Sequence, residues 1–206
     1  PTLPADPSQP LPTAITAAEP TSQPVTQPTS PSISSLPETA PEEENTCVSP
    51  QALTRAMTEG PYYTANTPER TNLYQEGIPG TRIRLTGRVL TPDCQPVAGV
   101  FIDFWQADGA GVYDNSGYTL RGHQFSDENG NYVLETVLPG RYPGRTPHIH
   151  VKVQAPGGPM LTSQLFFPGE AQNETDRIFD PLLLVRMDES FEGIQAVFDF
   201  VIQPGP

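Results

Sequence analysis

From residue 82 onward the chain is divided into short alternating or β-branched segments by glycine, proline and asparagine turns, and this punctuation constrains its fold most. Arg82-Ile83-Arg84-Leu85-Thr86-Gly87-Arg88-Val89 alternates polar and apolar residues. Val97 to Gln106 is apolar, β-branched or aromatic, and Tyr132 to Val137 follows the turn Asp127-Glu128-Asn129-Gly130. His148 to Ala155 alternates again, Leu161 to Phe167 follows Pro156-Gly157-Gly158-Pro159, and Gln195 to Ile202 ends the series. Short strands with turns at this spacing predict a mainly β protein, an antiparallel β-sandwich with few short helices. Helix signals are confined to Ser49–Met57, with Ser49 as cap and Pro50 in the first turn, and to one turn over Asp176–Phe179.

The first 46 residues have a different composition. They hold eleven prolines and fourteen Ser or Thr, and no Lys, Arg, aromatic or Cys. Such a segment cannot bury enough apolar surface to offset the entropy of ordering it, so 1–46 reads as a disordered stalk or linker. Residues 47–206 read as one folded domain, holding all the Phe, Tyr and Trp. The net charge is −13, and there is no basic stripe to attract nucleic acid. No apolar run approaches a transmembrane length. The first residue is Pro rather than Met, which suggests processing or trimming.

Cys47 lies where stalk meets domain, and Cys94 lies in the turn Thr91-Pro92-Asp93-Cys94-Gln95-Pro96. In an oxidising compartment a disulfide between them would pin the domain's first segment, worth about 4 kcal/mol in the chain-entropy model; two free thiols are the alternative. Tail and cysteines together predict an exported protein: secreted, periplasmic or surface-tethered. Asn173-Glu174-Thr175 is a lone glycosylation sequon.

The chemistry-bearing candidates lie between these strands. His148 and His150 are two apart on a strand pattern, so both side chains face the same way. Tyr142 lies six residues before His148, between Gly/Pro turns, and Arg145 shares the short loop. Two imidazoles and two phenols would make a hard, partly anionic shell suited to iron(III). The alternative is a half-exposed strand face with a turn tyrosine and a solvated arginine. For the second phenol, periodicity ranks Tyr113, Tyr118 and Tyr132 equally. Phe104 and Trp105 read as core anchors.

The stretch from Thr58 to Phe167 resembles the intradiol ring-cleavage dioxygenases. The resemblance rests on Glu59-Gly60-Pro61-Tyr62-Tyr63, Leu85-Thr86-Gly87-Arg88-Val89, Pro96-Val97-Ala98-Gly99-Val100, Trp105-Gln106-Ala107-Asp108 with Gly111-Val112-Tyr113, Ser126-Asp127-Glu128-Asn129-Gly130-Asn131-Tyr132, Pro139-Gly140-Arg141-Tyr142-Pro143, Arg145 with His148-Ile149-His150, and Gln164. It implies a transthyretin-like sandwich holding non-haem Fe(III) through Tyr113, Tyr142, His148 and His150. It implies that Arg145 lies beside bound substrate, Gln164 lies behind the metal shell, and Tyr62 lines the substrate mouth. The implied partners are an aromatic diol and dioxygen, and the implied role of Tyr142 is to leave the metal and act as base.

The chain departs from the catabolic members in one respect. Five residues separate Tyr142 from His148, with neither the long insertion nor the N-terminal helical domain of those enzymes. It looks like the short, exported branch, for which a more open cleft is expected. Two other readings remain at this point: an inactive or binding-only exported β-sandwich module, and a copper or manganese enzyme using the same shell.

Overall fold

The computed structural model describes residues 47–49, 51–190 and 193–205. The expected stalk, 1–46, lies outside the described residues. Nine strands follow in order: β1 (Arg82–Leu90), β2 (Phe101–Gln106), β3 (Arg121–Phe125), β4 (Asn131–Val137), β5 (His148–Gln154), β6 (Leu161–Phe166), β7 (Arg186–Ser190), β8 (Gly193–Val197) and β9 (Phe200–Val201). Single 3-10 turns span Ala171–Glu174 and Pro181–Leu183. The expected β-sandwich is thus present, as two sheets. One runs β4-β1-β8-β7 with β9 also on β1, and the other runs β3-β2-β5-β6.

The pairing is antiparallel throughout the second sheet. In the first, β1 pairs antiparallel with β4, and β8 with β7, while β8 and β9 run parallel to β1. The last expected strand, 195–202, divides at Phe198-Asp199. The chain at Phe198 crosses directly over Gly87, where an added Cβ would lie 1.8 Å from the Phe198 carbonyl oxygen. Only glycine admits that approach. Phe198 N–H donates to the Thr86 carbonyl, and the Tyr132 hydroxyl donates to the Phe198 carbonyl at 2.7 Å.

Alternation sets the interior. Ile83, Leu85 and Leu134 from one sheet meet Ile102, Phe104, Ile149, Val151 and Leu165 from the other. In β5 the odd-numbered residues face this core, which turns His148, His150 and Lys152 to the opposite face of the sheet. In β2 the same rule turns Asp103 and Trp105 to that outer face, with Trp105 opposite His150 and Asp103 opposite Lys152.

The outer face is covered by the segment leading into β1. The helix expected over 49–57 is absent among its described residues. The amides of Gln51, Thr54 and Met57 donate instead to Pro92, Val201 and Thr162 carbonyls, so the segment is an extended strap laid across three other elements. Each bond is long-range, and three of them outweigh the propensity of one short helical stretch. The strap begins at the Cys47–Cys94 disulfide. It then carries Tyr62 and Tyr63 onto Trp105 and Tyr113, forming a second apolar cluster separate from the main core. The turn expected at Asp176–Phe179 is present, closed by Phe179 N–H on the Asp176 carbonyl.

Candidate metal centre

Two loops and one strand deliver the site. Gly111, in the left-handed region (φ 81°), has no room for a Cβ: one would lie 2.2 Å from the Arg141 carbonyl oxygen. That contact packs the Tyr113 loop against the Tyr142 loop, leaving the two phenol rings 5.8 Å apart, centroid to centroid, and nearly perpendicular. Arg145 N–H then bonds back to the Tyr142 carbonyl at 3.1 Å. This tight turn feeds β5, where His148 and His150 present their imidazoles side by side.

The four groups converge. Nε2 of His148 is 3.1 Å from Nε2 of His150 and 3.3 Å from the Tyr142 oxygen. Nδ1 of His148 lies 2.7 Å from the Thr146 carbonyl, which can only accept, so Nδ1 carries the proton and Nε2 keeps its lone pair. Tyr142 O–H donates to that lone pair. Both histidines are 1% exposed. The Tyr113 hydroxyl is also buried, and among the described residues it has no hydrogen-bond partner. A buried polar group without a partner is costly, and one aimed at other donors marks a place for a ligand.

Electrostatics agree with a cation site. Burial, followed by the neighbouring Arg145, pushes His148 down to about 4. Burial, followed by His148, holds His150 well below its ordinary value. Both are therefore neutral lone-pair donors at pH 7. Burial pushes both phenols up, Tyr113 farther than Tyr142. Without a cation they stay protonated, and a bound metal ion reverses that preference. Among the described residues no three His, Cys, Asp or Glu side chains come together, so phenols must complete any shell here. The donor set of two phenols and two imidazoles fits a hard trivalent ion.

Every residue singled out in the sequence for this site lies in or against it. Tyr62 stacks on Tyr113 at 4.4 Å and meets Tyr142 edge-on at 6.5 Å. Arg145 donates to the Tyr142 oxygen at 3.4 Å and to Gln164 Oε1 at 2.5 Å, while Gln164 Nε2 donates to the Thr58 carbonyl of the strap. The rival phenols lie elsewhere: Tyr118 donates to the Ala65 carbonyl and Tyr132 to that of Phe198. Trp105, read only as a core anchor, lies flat against His150 at 4.8 Å. Tyr63 also packs on Trp105, tilted at 4.8 Å, its hydroxyl bonded to Asp103. The alternation of β2 opposite β5 could have revealed that stack. No sequence signal marked Asp176, whose carboxylate accepts from Arg145 Nε at 2.9 Å. A concavity of about 570 Å³ between Arg84, Phe125 and Asp199 holds none of these four donors.

Two phenols, two imidazoles and an arginine thus meet beneath the strap on the outer face of one sheet, a donor set that fits a metal ion. Comparison with known proteins gives the family. The family model Dioxygenase_C, described as Dioxygenase, matches residues 58–204. The chain belongs to the intradiol ring-cleavage dioxygenase family. It is 30% identical over 157 residues to a hydroxyquinol 1,2-dioxygenase of Rhizobium sp. (strain MTP-10005), covering 63% of this chain and 53% of that protein. It is 33% identical over 127 residues to the protocatechuate 3,4-dioxygenase beta chain of Burkholderia cepacia, covering 52% of this chain and 54% of that one. The chain thus spans about half the length of these relatives. Among solved structures, the dioxygenase domain of a dioxygenase carbohydrate-binding protein fusion from the cellulolytic bacterium Streptomyces sp. SirexAA-E is 47% identical. It superposes with a TM-score of 0.72 over 75% of this chain and 100% of that one. The intradiol ring-cleavage dioxygenase from Tetranychus urticae is 27% identical, with a TM-score of 0.68 over 75% of this chain and 96% of that one.

Proposed function

We propose that this chain is a non-haem iron(III) dioxygenase that opens the ring of a catechol-type diol between its two hydroxyls, using dioxygen. The observation that carries the reading is the convergence of Tyr113, Tyr142, His148 and His150 on one buried point. These four would hold the ion, which supplies Lewis acidity and the covalency that makes a bound catecholate reactive toward oxygen.

The chain's own groups do the rest. Tyr142 is the base: ionised by a bound cation, its oxygen could take up a diol proton while Arg145 Nη1 keeps it hydrogen-bonded. Arg145 holds a fixed positive charge where the ring becomes electron-rich. Gln164 holds that guanidinium in line and ties it to the strap. Tyr62, on the Tyr113 face, walls the entrance and offers an aromatic surface to a flat ring. Both oxygen atoms end in the product, a cis,cis-muconate-type diacid, so no external reductant is required.

Oxygen uptake across catechol, hydroxyquinol, protocatechuate and larger plant phenolics, with product identification, tests this. Ring-opened diacid with one O2 consumed per diol is expected. An iron-replete protein that consumes no oxygen with any of them would leave a binding-only module, a reading the four filled donor positions oppose. Element analysis decides between iron and copper or manganese. The Cys47–Cys94 disulfide also supports an exported setting. Recovery of the protein with both thiols reduced inside its native cells would remove that inference.

A further inference from the structure

Outside the donor set, the Asp176 carboxylate is a buried and well-satisfied polar group beside the site, and the mechanism above does not use it. Its side chain is 2% exposed. Oδ2 accepts from Arg145 Nε at 2.9 Å and from the Thr146 amide at 3.0 Å, and Oδ1 accepts from the Ile178 amide at 3.0 Å. Three residues earlier, Asn173 completes the hold. Its Oδ1 accepts from the Thr146 hydroxyl at 2.6 Å, and its Nδ2 donates to the Phe167 carbonyl at 2.9 Å. Thr146 is the residue whose carbonyl fixes the His148 proton. Arg145 and Thr146 are therefore both gripped from one polar turn, residues 173–176, and Thr146 in turn holds the His148 ring.

We propose that Asp176 is a positioning residue that aims the Arg145 guanidinium at the Tyr142 oxygen, while Asn173 of the same turn holds Thr146 and through its carbonyl the His148 imidazole. The inference rests on the functional reading above only for its kinetic consequence. Arg145 has five N–H donors in one plane. The carboxylate takes Nε and Gln164 takes Nη2, which leaves Nη1 directed at the Tyr142 oxygen and the space beyond it. The carboxylate also offsets the guanidinium charge, so that a further cation can be tolerated nearby. The same bonds give the sequon at Asn173 a different meaning. Its amide nitrogen is already committed to Phe167, and a glycan there would break the hold rather than decorate the surface.

The test is a double-mutant cycle between Asp176→Asn and Arg145→Gln in the full chain. With iron loaded, Asp176→Asn is expected to lower turnover by about 10- to 100-fold, at unchanged iron content and visible absorption. In the Arg145→Gln background the same change should have almost no further effect. An equal loss in both backgrounds would show that Asp176 does not act through Arg145 and overturn the proposal. Metal-free protein gives an independent readout by 1H–15N NMR. Slowly exchanging Arg145 Nε–H and His148 Nδ1–H signals are expected in the wild type. The arginine signal should lose protection in Asp176→Asn, and retained protection refutes the assignment. Should that variant not fold, Asn173→Ala must still speed exchange at His148 Nδ1, and unchanged exchange counts against the turn. If the wild type neither binds iron nor consumes oxygen, the functional reading fails while these NMR signals still decide the positioning role.

Discussion

His148 shows how far a single residue's environment dictates its chemistry. Its proton is fixed on Nδ1 by the Thr146 carbonyl, and burial keeps the ring neutral, so Nε2 can only receive. His150→Ala is accordingly expected to lose bound iron, checked by element analysis; a metal-replete, active variant would mis-assign that ligand. Tyr142→Phe should lower turnover much more than iron content if its oxygen has the proposed role of base, and an unchanged rate would remove that role. Iron-loaded protein should be red-brown from phenolate-to-metal charge transfer, since burial alone keeps both phenols protonated. A colourless protein with full iron occupancy would refute the two-phenolate shell. At Asp176, burial favours the neutral acid, but the Ile178 and Thr146 amides and Arg145 outweigh it and hold the carboxyl below its ordinary 3.8. A lowered folded value means the unfolded chain binds the proton more readily. The stabilisation is therefore complete above the ordinary carboxyl range and is lost as pH falls through the folded value. Asp176→Asn should flatten the acid limb of a stability–pH curve; an unchanged limb would remove this contribution.

At the scale of elements, legibility followed the kind of residue that is buried. β1 and β5 announce themselves because apolar side chains recur every second position, and β2, β4 and β6 because apolar, β-branched or aromatic residues gather beside turns. β3, Arg121-Gly122-His123-Gln124-Phe125, was not anticipated because its burial is polar. Arg121 is fully buried on the Asp114 and Tyr62 carbonyls, and the Gln124 amide bonds both N–H and C=O of Val133. β7, Arg186–Ser190, is a polar edge strand, charged in the way exposed edges are commonly protected. The strap was misread as a helix because its partners, Pro92, Val201 and Thr162, are distant in sequence. Within the site, the His-x-His face was legible from alternation, but the choice of Tyr113 over Tyr118 or Tyr132 came from family resemblance. Its physical cause, the Gly111–Arg141 contact, exists only in three dimensions. Gly87→Ala tests an element junction. The Cβ cannot coexist with the Phe198 carbonyl, so β8 and β9 must shift, at a cost of about 1–3 kcal/mol or more. Denaturant unfolding measures it, and a neutral result would mean the crossing is looser than described.

Over the whole molecule, the disulfide closes a loop of 47 residues that contains the strap and β1. Reducing it should cost about 4 kcal/mol in the chain-entropy model, read as a lower Tm under reductant. The strap also carries Thr58, Gly60 and Tyr62 to the site, so the reduced protein should lose activity at temperatures where the sandwich still holds its circular dichroism. Simultaneous loss of both signals would show that strap and sandwich unfold as one unit. No helix of the described residues is long and apolar enough to cross a membrane.

The reactive groups stand on the outside of a sheet whose other side fills the interior. Folding and the candidate ligands of β5 are consequently supplied by opposite faces of the same strand, Ile149, Val151 and Val153 inward and His148 and His150 outward. Replacements at Tyr62 and Tyr63 of the covering segment, which pack on the outer cluster, can therefore alter the surroundings of the site while the packed middle goes undisturbed.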